Sequence, residues 1–327
     1  RDIRAVNVNT LDEVPDSSWF TNRIGVREMP LDEIVRGPNT AETIDFENWP
    51  IVESCHAYCI TSSRHEVPHE YRCHARLLAA CPGLLLVSTT GAGYDTIDLA
   101  ACTEAGVLVV NQAGSNAQAV AEHTVGMMLA LSKNMPWTDR CLRRERVLDR
   151  EIFKGWNAAG STVGLIGLGA VGRRVARICG QGLDMRVLAC DPYLDADECR
   201  ARGALKVNLD TLLAESRYVS VHCPLSAETD NLISSRQFAR MQMGAILINT
   251  ARGGIVDEHA LANALAAKRL AGAGIDNWSV EPPPLGHPLL AFDNVIPTCH
   301  PAGVTSHSRI ATASSNAPQS RKCVSVI

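Results

Sequence analysis

The chain has 327 residues, 46% of them hydrophobic, with 31 Lys and Arg against 35 Asp and Glu for a formal net charge of -4. That length and apolar content suit two domains, each with its own core, and charges of both signs are interspersed, which gives no reason to expect nucleic acid or an anionic membrane as partner. There is no apolar run of about 18 residues and no signal-peptide pattern at the start, and the twelve cysteines are scattered through the chain, so reduced thiols in a cytoplasmic protein are the expectation.

Residues 1–50 carry scattered Pro, Asn and Asp with little strand periodicity. They are read as an atypical segment, with recognisable α/β structure starting near Ile51 and an unpaired sheet edge if a first strand-helix unit is missing. The stretch 12–20 looks like a segment of bacterial proteins of another kind. His65-Glu66-Val67-Pro68-His69 spells a zinc-protease pattern, which works only when both histidines share one helical face. Pro68 lacks an N–H and pushes Val67 out of the helical region, so no metal site is expected there. Cys55, Cys59, Cys73 and His74 include no C-x-x-C pair and are assigned to a small α/β layer instead of a zinc site. Residues 84–88 read as a strand and 96–104 as a helix. Between them Gly91-Ala92-Gly93 forms a turn whose backbone N–H groups can make an anion-binding concavity; a plain strand-to-helix turn is the structural alternative, and both can hold together. Residues 119–132 are apolar and helical in composition.

The apolar strand-type run 161–166 leads directly into Gly167-Leu168-Gly169-Ala170-Val171-Gly172, a G-x-G-x-x-G, and a segment of helical composition follows over 173–180. In that context the first glycine allows a tight turn, the second lets the backbone approach a pyrophosphate, and the third lets helix and strand pack closely, with phosphates over the helix N-terminus. A second strand, 185–190, ends at Asp191, about 20 residues past the glycines, where a carboxylate accepts hydrogen bonds from the adenine ribose and repels a 2'-phosphate. With Asp195, Asp197 and Glu198 nearby, the expected cofactor is NAD rather than NADP.

Arg252 follows the apolar run 245–249, which would deliver it to the carboxyl edge of the sheet, where α/β proteins bind ligands. A guanidinium there can grip a carboxylate and a neighbouring oxygen in a planar fork. The alternative is a surface arginine paired with Asp257 or Glu258. His300 follows a short strand-type run at 294–299. An imidazole titrates nearest neutrality and suits proton transfer; Glu281 on its other nitrogen would favour the imidazolium. A satisfied structural histidine is the alternative for His300 alone.

These residues sit in a series of blocks: Gly91-Ala92-Gly93-Tyr94-Asp95, Val120-Ala121-Glu122-His123, the glycine loop with Asp191-Pro192-Tyr193, His222-Cys223-Pro224-Leu225, Asn249 through Asp257, Gly274-Ile275-Asp276 ahead of Glu281-Pro282, and His300-Pro301-Ala302-Gly303. In this order and spacing, over about 54–309, the chain resembles the D-isomer-specific 2-hydroxy-acid dehydrogenase family, near its phosphoglycerate dehydrogenase and hydroxypyruvate reductase branches.

The resemblance implies an α/β protein with an NAD-binding Rossmann domain over 114–299 and a discontinuous flavodoxin-like substrate domain over 51–113 and 300–327, the two separated by a cleft. It implies NAD-dependent interconversion of a small D-2-hydroxy acid and its 2-oxo acid. Arg252, Glu281 and His300 would be catalytic, and Ala92 and Gly93 would join Arg252 on the substrate. Gly167, Gly169, Ala170, Val171, Gly172, Asp191, Cys223, Pro224, Thr250, Ala251, Asp276 and Gly303 would bind cofactor, with Asp276 beside the nicotinamide. No metal is implied, and helices such as 119–132 would join the domains and build a homodimer. Phosphite or formate oxidation on the same scaffold is an alternative, though a glutamate at position 281 argues against formate. An NAD(H)-responsive scaffold or corepressor-like protein is an alternative of another class, because fold alone does not decide function. Two positions depart from the family pattern: Asn277 stands where an apolar residue is usual, and Pro301 where Ile or Thr is common. The polar run 314–320 stands in place of an amphipathic closing helix.

Overall fold

The computed structural model describes residues 5–8, 27–28, 52–62, 67–144 and 149–311. They form two units, one comprising the chain up to Asn116 and from Thr305 onward, the other Ala117–Val304. The predicted segments 12–20 and 314–320 lie outside the described residues, as do His65 and Glu66 of the zinc-protease pattern.

The smaller unit contains a parallel sheet of β1 (Ala5–Val8), β2 (Arg27–Glu28), β3 (Ala57–Ile60), β4 (Leu86–Thr89) and β5 (Leu108–Val110), in the order β2-β1-β3-β4-β5. Val6 pairs with Tyr58 on one side and Arg27 on the other. Two strands of this sheet thus precede Ile51, where recognisable α/β structure was expected to start. Strands of four and two residues are too short to show a period of two above the surrounding Pro, Asn and Asp. The core joins Tyr58, Ile60, Val87 and Val109 of the strands to Leu77, Leu78 and Cys102 of the helices Ala75–Ala80 and Leu99–Glu104. Asp98 starts the second of these helices by accepting the Ala101 N–H at 3.0 Å, which satisfies one of its orphan donors. Pro68 precedes only a single 3-10 turn, His69–Tyr71. His74 caps the next helix through Nδ1, which accepts from Leu77 N at 3.3 Å. Cys55 and Cys73 lie within the apolar core, and burial pushes the Cys55 thiol up to about 12.

The larger unit holds a seven-stranded parallel sheet: β6 (Thr162–Ile166), β7 (Arg186–Cys190), β8 (Leu205–Lys206), β9 (Tyr218–Val221), β10 (Ala245–Asn249), β11 (Leu270–Ile275) and β12 (Val295–Pro297), in the order β12-β11-β10-β9-β6-β7-β8. The order reverses at β6, which pairs with β7 on one side and β9 on the other. Such a switch point, at the carboxyl ends of the strands, is where ligands bind in open α/β sheets. Both faces are covered: along β10, Ala245 and Leu247 join one core cluster, and Ile246 and Ile248 join the other. That explains why the sequence here is a continuous apolar run without alternation. The helix Ala117–Ser132 buries Ala121, Val125, Met128 and Leu131 in the second cluster.

This unit ends at Val304. His300 to Val304, expected on the returning segment of the substrate domain, therefore belong to the same unit as the glycine loop. Among the described residues no helix is long and apolar enough to cross a membrane.

Candidate cofactor and proton-transfer site

The glycine loop leaves β6 and turns into a helix, Gly172–Arg177, that continues as a π-helical turn through Gly182. Each glycine has a separate physical reason. Gly167 has φ +94°, and a Cβ there would come within 2.8 Å of the His222 backbone at the end of β9. At Gly172 a Cβ would meet the Gly167 carbonyl oxygen at 2.3 Å. At Gly169 it would meet nothing within 4 Å, so no protein contact requires that glycine, and the open side of the loop is available for close approach of a ligand.

Asp191, at the end of β7, is fixed on this loop: Leu168 N donates to Oδ2 at 2.9 Å and Tyr193 N donates to Oδ1 at 3.0 Å. Ala170 O accepts from the Arg174 guanidinium at 2.6 Å, and Val171 begins the helix. Cys223 and Pro224 follow His222 after β9, with Cys223 N beside Gly167. Burial pushes the Cys223 thiol up to about 11 and raises Cys190 as well, with help from the Asp191 charge, so neither thiol supplies a nucleophilic thiolate at neutral pH. The residues around the loop thus fit a dinucleotide: an unobstructed glycine backbone, and a strand-end carboxylate held toward it.

His222 sits beneath the loop, its Nε2 2.9 Å from the Ser220 hydroxyl. Burial holds its imidazole down to about 4, from an ordinary value of 6.5. An unfolded chain takes up that proton below the ordinary value while the native state refuses it until about pH 4. Stability present at neutral pH is therefore lost as the pH falls through this window, by on the order of 2 kcal/mol once partial exposure of the ring is allowed for. His222→Gln should flatten the fall in urea midpoint across the window; an undiminished fall would show that other groups carry it.

Arg252 lies on the turn after β10, and the strand's last residue shapes that turn. Asn249 Nδ2 donates to Arg252 O at 2.9 Å, and Asn249 Oδ1 accepts from Ala251 N at 3.1 Å. Thr250 bonds Thr124 of the helix Ala117–Ser132 through their hydroxyls at 2.8 Å. The surface acids weighed as partners for Arg252 have other work. Asp257 caps the helix Glu258–Ala266 through Ala260 N, and Glu258 holds His287 at 3.0 Å and Ser279 N at 2.7 Å.

His300 and Glu281 come together: Nδ1 lies 3.0 Å from Oε2. The other carboxylate oxygen accepts from Trp278 N at 3.0 Å, and the Trp278 indole N–H donates to Thr298 O at 2.8 Å. His300 has φ +64°, a left-handed conformation unusual outside glycine, and its side chain is 39% exposed.

Asp276 is fully buried. It accepts from the Thr298 hydroxyl at 2.6 Å and from Ala302 N at 3.3 Å, and lies 3.7 Å from His123 Nε2. It thus fastens the turn that bears His300 and Gly303 to the end of β11. Sequence reasoning gave His123, Thr298 and Trp278 no role, and Asn277 was noted only as a departure from pattern. Its Nδ2 lies 2.8 Å from His300 Nε2. No periodicity or spacing flags such a contact, which depends on how two loops pack.

Ala92 and Gly93 lie in the smaller unit, on the turn after β4. Asn111 Nδ2 donates to Ala92 O at 2.9 Å, and Gln112 N donates to Gly91 O at 2.9 Å.

A parallel sheet with its order reversed at a glycine loop, and with a histidine–carboxylate pair on the same unit, has the architecture of a dinucleotide-binding α/β protein. Residues 125–302, just over half of the chain, match the family model of the D-isomer specific 2-hydroxyacid dehydrogenase NAD binding domain, and the chain belongs to that family. It is 41% identical over 236 residues to a D-3-phosphoglycerate dehydrogenase of Archaeoglobus fulgidus, a match covering 72% of this chain and 44% of that protein. The chain thus spans about half the length of the curated relatives it matches. Among solved structures, a protein from Thermus thermophilus is similar at 29% identity with a TM-score of 0.80, over 95% of this chain and 93% of that one. A D-lactate dehydrogenase from Aquifex aeolicus, solved with NAD and lactic acid, is similar at 25% identity and a TM-score of 0.75, over 98% and 95%.

Proposed function

We propose that the chain is an NAD-dependent oxidoreductase interconverting a D-2-hydroxy acid and its 2-oxo acid, of the 3-phosphoglycerate or hydroxypyruvate and glyoxylate type. The observation that carries this reading is the Glu281–His300 pair, 3.0 Å apart, on the same unit as a glycine loop whose middle glycine is open to a ligand. NAD, when bound, supplies or accepts the hydride at C2. His300 gives the proton to the C2 oxygen in reduction and takes it in oxidation, while Glu281 fixes the ring through Nδ1. Arg252 holds the carboxylate and the C2 oxygen in its fork. Gly167, Gly169, Ala170, Val171 and Gly172 cradle the pyrophosphate, Asp191 takes the adenine ribose, and Cys223, Pro224, Thr250, Ala251, Asp276 and Gly303 line the rest of the cofactor.

A homodimer in the cytoplasm belongs to the same reading. The helix Met135–Arg144 buries none of its side chains and exposes Met135 and Leu142, with Ile152 and Trp156 also exposed. The eleven cysteines among the described residues are free thiols.

The Asp191 assignment predicts cofactor preference. Its two oxygens are held by loop amides and keep lone pairs for the ribose hydroxyls. Asp191→Ala should weaken NADH about tenfold or more in a fluorescence titration, as expected for losing hydrogen bonds to a charged acceptor, and should narrow the margin over NADPH. An unchanged ratio of the two affinities would refute it. Turnover of a 2-oxo acid with NADH, abolished by His300→Asn, is the experiment that tests the function itself.

A further inference from the structure

The fold leaves one polar group near the proton-transfer pair with no place in the proposed mechanism. Asn277 is 1% exposed, and its Oδ1 is buried with no hydrogen-bond partner, an expensive arrangement for an amide. Among the described residues its side chain's contact of hydrogen-bond length is Nδ2 to His300 Nε2, at 2.8 Å. That nitrogen is the one left for proton transfer, because Glu281 occupies Nδ1 at 3.0 Å.

The two contacts together fit one arrangement of ring protons. Glu281 accepts from Nδ1–H, which makes Nε2 of the neutral ring a lone-pair acceptor, and the Asn277 N–H fits that lone pair. An imidazolium would present Nε2–H to the amide N–H, donor against donor, and the amide would have to turn over. In the orientation present Oδ1 stays unmet, which ordinary core packing of a satisfied side chain does not account for.

We infer that Asn277 is a positioning residue that holds His300 as a neutral base through Nε2 until the substrate hydroxyl takes its place there. This rests on the proton-transfer reading of His300. In oxidation the hydroxyl O–H breaks, its proton forms the N–H bond at Nε2, and the C2 hydrogen leaves as hydride to NAD, so the acid, the imidazolium and NADH balance. The amide and the hydroxyl compete for one lone pair, so the Asn277 contact is broken in each productive encounter. The contact favours hydroxy-acid oxidation, which needs the base, over 2-oxo-acid reduction, which needs the imidazolium.

The other titratable groups on neighbouring elements are Glu281 at Nδ1, Asp276 and His123 behind the turn 298–302, and Arg252 on the β10 turn; all are retained when Asn277 is replaced. The test uses the full chain with no substrate. Heteronuclear NMR of the histidine rings follows His300 with pH, its signal assigned by its loss in His300→Asn. In Asn277→Val the imidazolium should persist to higher pH by about one unit, the worth of one hydrogen bond to the neutral ring, and in Asn277→Asp by more, because a carboxylate then faces Nε2.

Steady-state kinetics add a second reading: the acid limb of oxidation should move up by the same amount in Asn277→Val, and KM for the hydroxy acid should fall as the competitor is removed. Coincident titrations in wild type and both variants, with folding intact by near-ultraviolet circular dichroism, would overturn the inference. If Asn277→Val does not fold, the Asn277→Asp titration decides it alone. A shifted titration in a chain that turns over no 2-oxo acid would leave the Asn277 contact established and the proposed function refuted.

Discussion

His300→Asn should lower kcat by about 100- to 10,000-fold, the span expected for removing a positioned general acid and base, while NADH affinity measured by fluorescence stays within about twofold. Asparagine is the informative replacement because of the backbone. His300 adopts φ +64°, and asparagine tolerates the left-handed region better than most residues, so the turn and the hydrogen bonds that Thr298 and Ala302 donate to Asp276 should persist. What is removed is the ability to carry a proton. An alanine variant would mix that loss with a conformational one. Near-normal kcat in His300→Asn would show that the pair with Glu281 is structural and would return His300 to the satisfied-histidine alternative.

Gly253→Ala should be nearly as damaging, for a reason that lies in packing. A Cβ at Gly253 would stand 2.0 Å from both the carbonyl carbon and the carbonyl oxygen of Trp278, and 2.4 Å from Ser279 N. These are backbone atoms, so no side-chain rotation relieves the overlap, and the Arg252 turn and the Trp278 loop must separate. Trp278 fixes Glu281 through its backbone N–H and Thr298 through its indole, so displacement reaches both supports of His300. Overpacking of this kind costs about 1–3 kcal/mol or more, and misplacing the proton-transfer pair by even an ångström lowers turnover about 100-fold. Chemical denaturation and turnover should both report it. Gly182→Ala is the control: a Cβ there meets nothing within 4 Å, and both readouts should stay near wild type. A stable, active Gly253→Ala enzyme would mean that the two loops do not need this close approach.

Much of the site was legible because its chemistry is encoded locally. The strand, glycine loop, helix and acid from Thr162 to Asp191 follow one another along the chain, so the order alone identifies the unit, while the contact that requires glycine at 167 comes from His222 outside it. Arg252 was placed by the buried run before it, since a strand of known direction delivers its end to a known edge. What the sequence could not display were contacts between loops. Asn277 and His300 are 23 positions apart, and nothing in either segment alone says that an amide will meet Nε2. Asp276 also engages Thr298 and Ala302 through its carboxylate, a tie that appears only when the ends of β11 and β12 lie side by side. The short elements were misjudged for a related reason. β12 has three residues within the six-residue run 294–299, and β1 and β2 draw their stability from pairing with neighbours more than from any pattern of their own.

The most direct test of the central claim is NADH oxidation, followed by absorbance, by the purified chain with hydroxypyruvate, glyoxylate and phosphohydroxypyruvate, wild type beside His300→Asn. The account predicts turnover of at least one 2-oxo acid, faster with NADH than with NADPH, and lost in the variant. A folded chain that binds NADH and reduces none of them would contradict the enzyme reading and favour a cofactor-responsive binding protein.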